Sequence, residues 1–194
     1  MKRILKIAVA DDEPRVREYF QEILSSLGHE VVAAADGADL VQSCRSIRPD
    51  LIISDLIMPK MDGIEAVDEI RREYPIPVII VSAYYDTSIL NRIVDHDIFV
   101  YLAKPIEQSD LVSSIAVAVR LFDRIRTIRR EVEGLERAIE DRKTIEQAKG
   151  ILMIKSELDE DSAYRRLRKC ARDRNRKLVD IARSILLSEE ACRR

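Results

Sequence analysis

Leu51-Ile52-Ile53-Ser54-Asp55 is the stretch on which the fold turns. It is an apolar run of strand length that ends on a carboxylate and enters Met58-Pro59-Lys60-Met61-Asp62-Gly63, where Pro, Asp and Gly favour a turn. Three further runs end the same way. Ile7-Ala8-Val9-Ala10 stops at Asp11-Asp12-Glu13, Val78-Ile79-Ile80-Val81 stops at Ser82, and Phe99-Val100-Tyr101-Leu102 leads to Lys104-Pro105. In a parallel sheet such strand ends converge on one edge, where open α/β folds bind their ligands. Asp11, Asp12, Asp55, Ser82 and Lys104 therefore form a single candidate site.

Around these runs the first 120 residues alternate strand and helix. Strands are expected at 4–10, 30–34, 51–54, 78–81 and 98–102, and helices at 15–27, 40–47, 64–73 and 87–96. In the first helix Val16, Phe20, Ile23, Leu24 and Leu27 keep helical spacing until Gly28 stops it. Strands that are apolar throughout are buried on both faces. Alternating βα units then give an α/β class, a doubly wound parallel five-stranded sheet.

From Ser109 onward the pattern is helix only. Leu111, Ile115, Ala118, Phe122 and Ile125 step by 4, 3, 4 and 3, and after a step of 3 to Ile128 the phase resumes at Val132, Leu135 and Ile139. This is a heptad-type seam with one phase slip, close to Gly134, flanked by charge. Its first turns pack on the preceding domain, and the stretch 118–140 is expected to pair with a second copy as a coiled coil. Three shorter amphipathic segments follow. They are marked by Ile145, Ala148 and Leu152, then by Ala163, Leu167, Cys170 and Ala171 behind Asp159-Glu160-Asp161, and then by Leu178, Ile181, Ala182, Ile185 and Leu186. They predict a small three-helix all-α domain.

Charge divides the 194-residue chain in the same place. Residues 121–194 carry 20 Lys and Arg against 15 Asp and Glu, whereas 1–120 is acidic by seven charges. Nine basic residues against two acids fall between 163 and 183. Two units with different partners are implied. Cys44, Cys170 and Cys192 are odd in number and widely spaced, as expected of reduced thiols in a cytoplasmic protein. His29 and His96 are isolated and suggest no metal site. The start of the chain is too short for a signal sequence, and no apolar stretch spans a bilayer, so no membrane partner is expected.

Clustered carboxylates are costly unless a cation offsets them, and a hard divalent ion such as Mg²⁺ takes one or two of them plus waters. Mg²⁺ commonly accompanies phosphoryl groups, and an Asp carboxylate is itself a competent nucleophile for an aspartyl-phosphate. The Asp11-Asp12-Glu13 cluster, Asp55 with Met58-Pro59 and Asp62-Gly63, Ser82-Ala83, and Tyr101 before Lys104-Pro105 together resemble the receiver domains of two-component response regulators, over roughly residues 4–122. That resemblance implies that Asp55 accepts a phosphoryl group from a sensor histidine kinase. It also implies that Asp11, Asp12 and Asp55 hold Mg²⁺ with the Ile57 carbonyl as a further ligand, and that Ser82 and Tyr101 act as a switch pair beside Lys104. A cis bond at Lys104-Pro105 is implied as well. Ile57 and Tyr84, each two places past a key residue, are neither a carboxylate nor an amide suited to orienting attacking water, so a long-lived aspartyl-phosphate is expected.

In the second half, no nucleotide-binding, zinc or protease motif follows residue 120, and a catalytic output is not expected. The basic helices point to a polyanion partner or to a plainly solvated face. The run Ile145-Glu146-Gln147-Ala148-Lys149-Gly150-Ile151-Leu152-Met153, with Ala163-Tyr164, Leu167-Arg168, Asn175 and Lys177-Leu178, resembles the ANTAR family over about 130–188. That family implies RNA hairpin binding and transcription antitermination. RNA contacts are expected from Arg142, Gln147, Lys149, Arg168 and Lys177, with Arg165 and Arg172 outside that set. Tyr164 is expected in the core, and Gly150 at a close helix approach. The domains are read as 1–122, a linking helix at 109–142, and 130–194. The whole reads as a non-enzymatic response regulator. Its rivals are an output through DNA binding and an output through protein contacts of the coiled coil.

Overall fold

A computed structural model describes residues 3–83, 91–92, 96, 98 and 100–192. The chain divides into two compact units, Met1–Arg126 and Thr127–Arg194. In the first, five strands form one parallel sheet in the order β2-β1-β3-β4-β5. They are β1 (Lys6–Ala10), β2 (Glu30–Ala34), β3 (Leu51–Asp55), β4 (Val78–Ser82) and β5 (Val100–Ala103). Helices α1 (Pro14–Ser26), α2 (Gly37–Ile47) and α3 (Gly63–Glu73) connect them. The helix expected at 87–96 falls largely outside the described residues, as do Tyr84 and Phe99; Asn91 and Arg92 are helical.

The three central strands are apolar on both sides because both sides are covered, whereas the edge strands β2 and β5 are partly exposed. Ala8, Ala10, Ile52, Val78 and Ile80 pack under α2 and α3 with Leu40, Val41, Ile64, Val67 and Ile70. Ile7, Val9, Ile53, Ile79 and Val81 face the opposite way, against Phe20 and Leu24 of α1 and against Leu111, Ile115 and Ala118. Neighbouring strand residues alternate between these cores, as the pleat requires. Two short-range devices fix the joints. Gly28, at φ +86°, ends α1 in a left-handed turn closed by hydrogen bonds from Gly28 N to Ser25 O and from His29 N to Leu24 O. Asp62 caps α3 in a reciprocal capping box with Glu65.

The next helix, α4, runs unbroken from Gln108 to Ser156, so the first of the three short segments is its C-terminal end. Two shorter helices follow, α5 (Glu160–Asp173) and α6 (Leu178–Cys192). In the second unit Ala148 of α4, Leu167 and Ala171 of α5, and Ile181 and Ala182 of α6 make the core, with Ile145, Leu152, Cys170, Leu178 and Ile185 at its edge. Asp159 caps α5 through Ser162 N at 2.7 Å. Asn175, at φ 49°, closes its far end.

Along α4 the expected single seam separates into two stripes. Leu111, Ile115 and Ala118 are buried in the first unit's core. A second stripe, Leu121, Ile125, Ile128, Val132, Leu135 and Ile139, keeps an unbroken 4-3-4-3-4 spacing, and most of it is exposed, Leu135 by 65%. The phase slip is the handover between them at Ile125–Ile128, and Gly134 lies off the stripe. Gly150 also departs from expectation: a Cβ there would meet nothing within 4 Å, so no helix approaches it closely.

Candidate functional site

β1 and β3 are adjacent in space, yet their outer neighbours β2 and β4 continue in opposite directions. Such a switch point opens a crevice at the carboxyl ends of the strands. Asp11 follows β1 there, and Asp55 is the last residue of β3. Asp11 is fully buried, Asp55 nearly so, and Asp12 exposed. One carboxylate oxygen from each lies within 4.8 Å of the others. Lys104, just past β5, reaches across two strands, with Nζ 2.8 Å from Asp11 Oδ2 and 2.8 Å from Asp55 Oδ2. Glu13 N donates to Asp11 Oδ1 at 3.0 Å, and Ile57 N approaches Asp55 Oδ1 at 3.4 Å. Ile57 itself is 53% exposed at the mouth of this loop.

Burial lifts the Asp11 carboxyl above its ordinary value; the neighbouring Asp55 charge adds to this, and the hydrogen bonds from Lys104 and Glu13 only partly offset it. Burial also opposes the charge on Lys104, but its bonds to Asp11 and Asp55 outweigh that and hold the ammonium above the usual lysine range. The result is two acids and a base locked in one low-dielectric cluster. Three hard carboxylates this close suit a hard divalent cation, which takes oxygen ligands.

The remaining expected residues flank the cluster. Ser82 ends β4, buried, and its carbonyl accepts Lys104 N at 2.9 Å. Tyr101 lies on β5 opposite Ile80, half-buried against the α2–α3 side of the core. The Lys104-Pro105 bond is cis. Position 63 must be glycine: an added Cβ would lie 2.0 Å from the Asp55 carbonyl oxygen, so the start of α3 is pressed against the strand end that carries the acid. One contributor escaped the sequence reading. Arg17 of α1 donates through Nη1 to the carbonyls of Asp11 (2.7 Å) and Asp12 (3.1 Å), pinning the acidic loop. A lone Arg on an exposed helix turn has no pattern that marks it.

In the second unit the expected RNA-contact residues do not line one groove. Arg142 and Lys149 line a groove of about 580 Å³ with Asp141, Glu146, Glu160, Asp161 and Tyr164. Lys149 is only 8% exposed and is ion-paired with Glu146 and, at 2.7 Å, with Glu160. Those bonds hold its ammonium above the ordinary value, and Lys149 in turn holds Glu160 below the usual carboxylate range. Its task is thus to tie α4 to the start of α5, and its expected role as an outward RNA contact does not fit this burial. Arg168 lines a different groove of about 580 Å³, with Arg165, Lys169, Ala171, Arg172 and Leu178 and no acid among them. Gln147 and Lys177 are exposed outside both. Tyr164 is 40% exposed and not a core residue. It sits one position past buried Ala163, at the rim of the apolar stripe.

A doubly wound parallel sheet with its acids and lysine gathered at the switch point defines the receiver class of signalling domain. The comparisons agree and add the output. Residues 7–116 match the response regulator receiver domain and residues 133–186 the ANTAR domain. The transcriptional regulatory protein PdtaR of Mycobacterium tuberculosis is 34% identical over 182 residues, 93% of this chain and 89% of that protein. A response regulator receiver domain protein from Clostridium thermocellum superposes with a TM-score of 0.59 at 27% identity, over 63% of this chain and 99% of that one. Chemotaxis protein CheY4 of Vibrio cholerae superposes with a TM-score of 0.57 at 25% identity, over 60% and 99%. The chain belongs to the response regulators, with an N-terminal receiver and a C-terminal output domain of the RNA-binding ANTAR family. Among the described residues no helix is long and apolar enough to cross a membrane.

Proposed function

We propose that this response regulator is phosphorylated on Asp55 by a sensor histidine kinase and controls transcription by antitermination at RNA hairpins. The observation that carries the first step is the bridge from Lys104 to Asp11 and Asp55, 2.8 Å on each side. In the transfer, an Asp55 oxygen attacks the phosphorus of the kinase phosphohistidine. The P–N bond breaks, its electron pair stays on the imidazole, which takes up a proton, and Asp55 becomes an acyl phosphate. Asp11, Asp12, Asp55 and the Ile57 carbonyl would hold Mg²⁺, which supplies positive charge against the incoming phosphoryl oxygens. Lys104 supplies a second positive charge, and the Ser82 hydroxyl donates to a phosphoryl oxygen. Tyr101, one strand over, responds to the movement of Ser82. Arg17 keeps the acidic loop in place throughout.

The exposed stripe on α4 supports a homodimer. β-branched residues at Ile125, Val132 and Ile139 alternate with Leu121, Ile128 and Leu135, the pattern of a two-stranded parallel coiled coil. On this reading the functional units are a receiver over 1–122, a linking helix over 109–142 and an RNA-binding unit over 130–194. Phosphorylation shifts the dimer equilibrium, and paired output units gain avidity for paired hairpins. RNA contact falls to Arg142, Gln147, Arg168 and Lys177, with Lys149 positioning the unit from within.

The test measures binding to paired RNA hairpins and to duplex DNA of matched length, with and without a small-molecule phosphodonor and Mg²⁺. RNA-selective binding that strengthens with the phosphodonor, and fails to strengthen in Asp55→Ala, is the expected result. Equal binding to duplex DNA would overturn the RNA reading, and phosphodonor response in Asp55→Ala would overturn the phosphoacceptor assignment.

A further inference from the structure

Tyr164 is the only aromatic residue in the second unit, and it stands 40% exposed. Positions 164, 168 and 172 follow one another at intervals of four along α5, so the ring shares a ridge with two guanidiniums. Arg165 and Lys169 lie beside that ridge, and with Arg168 and Arg172 they line the acid-free groove floored by Ala171 and Leu178. All four cations are exposed, and none makes an ion pair among the described residues. Arg165 donates through Nη2 to the Ser162 hydroxyl at 3.1 Å. The N-terminal end of the same helix is acidic, with Asp159, Glu160 and Asp161. Tyr164 therefore sits at the border where repulsion of a polyanion gives way to attraction.

A partly exposed ring at the edge of an acid-lined groove, one turn along α5 from cations that make no ion pair among the described residues, is an amphipathic junction. It suits unpaired nucleotides: bases stack on an aromatic face, and cations follow the phosphates. A duplex, whose bases are already stacked, makes no use of the ring.

We propose that the α5 ridge is the loop-reading surface of the output unit: Tyr164 stacks one unpaired base of the RNA loop while Arg165, Arg168, Lys169 and Arg172 hold the phosphates next to it. The proposal rests on the RNA-binding reading and adds a base-stacking and phosphate-holding ridge to the contacts from Arg142, Gln147, Arg168 and Lys177. The acid-lined groove to which Tyr164 itself belongs, with its Lys149 ion pairs, ties the start of α5 to α4.

The experiment uses the full chain, phosphorylated with a small-molecule phosphodonor, and stem–loop RNAs it enriches from a random-loop pool. Tyr164→Ala is expected to weaken binding on the order of tenfold, the loss of one stacked base, with an unchanged salt dependence. Tyr164→Phe keeps the ring and is expected to bind as the wild type does. Arg168→Ala with Arg172→Ala is expected to flatten the plot of log affinity against log salt by about 0.7 for each lost phosphate contact. Loops carrying one abasic site supply a readout independent of folding: one position should cost the wild type about tenfold and cost Tyr164→Ala nothing further. Full affinity in Tyr164→Ala, equal losses in the Phe and Ala variants, or no abasic position that couples to Tyr164 would overturn the proposal while leaving RNA binding in place. Failure to enrich any stem–loop would instead overturn the RNA-binding reading beneath it.

Discussion

The acids of the receiver site are held by opposing forces, and single residues decide how long its chemistry lasts. Ile57 stands at the site mouth, with its amide near Asp55 and its side chain half in water. It cannot orient a water molecule for attack on an acyl phosphate. Ile57→Asn supplies that group, and loss of radiolabel from the phosphorylated chain should accelerate by at least about tenfold, below the 10²–10⁴ of a fully positioned acid or base. Rapid label loss already in the wild type would contradict the long-lived intermediate. In the output unit, Lys149 has a raised pKa and Glu160 a lowered one. The lowered carboxyl contributes stability above the ordinary carboxylate pKa that is lost as pH falls through its folded value. The raised ammonium contributes stability below the ordinary lysine pKa that is lost as pH rises through its folded value. Thermal melts across pH should therefore show Lys149→Met flattening both limbs. An unchanged acid limb would mean the Glu160 pair adds nothing. Asp11, Asp12, Asp55, Ser82 and Lys104 were legible because each follows an apolar run whose parallel pairing leaves one place for its end. Lys149 and Tyr164 were not. Whether a residue at the rim of a helical stripe is buried depends on the neighbouring helix, and local spacing carries no information about where Glu160 returns.

At the scale of elements, the three central strands were readable from their own residues, because strands covered on both faces demand continuous apolar runs, and the partly exposed edge strands β2 and β5 were readable from their place in the strand–helix alternation. The long helix was readable in content but not in partition. The same 3–4 spacing serves both a stripe buried on a sheet and a stripe left open, and only packing separates Ala118 from Leu121. The open stripe makes a directional prediction. A parallel, in-register pair sets Arg124 near Arg129 of the second copy and Glu131 near Glu136, each mildly repulsive. Arg124→Glu converts one symmetric pair of repulsions into attractions and should tighten dimerisation by about three- to tenfold at low salt, measured by sedimentation equilibrium. Weakening would favour antiparallel strands. Gly150 supplies a second test. It is helical, with open space around an added Cβ, so Gly150→Ala should raise the unfolding free energy of the output unit by about 0.5–1 kcal/mol. A stability gain accompanied by lost RNA affinity would identify Gly150 as a point where the RNA backbone comes close.

At the scale of the whole molecule, an acidic receiver and a basic output share one chain, joined by one uninterrupted helix. Its exposed row of Leu121, Ile128, Val132, Leu135 and Ile139 has a thermodynamic consequence. On the proposed homodimer, which hides these side chains, mass action stabilises the folded state in proportion to the logarithm of how much protein is present. The melting temperature should climb as the sample is concentrated, and the climb should vanish in Leu135→Lys. A cell that made more of this regulator would thereby make each copy more durable, so that abundance itself becomes an input to the switch.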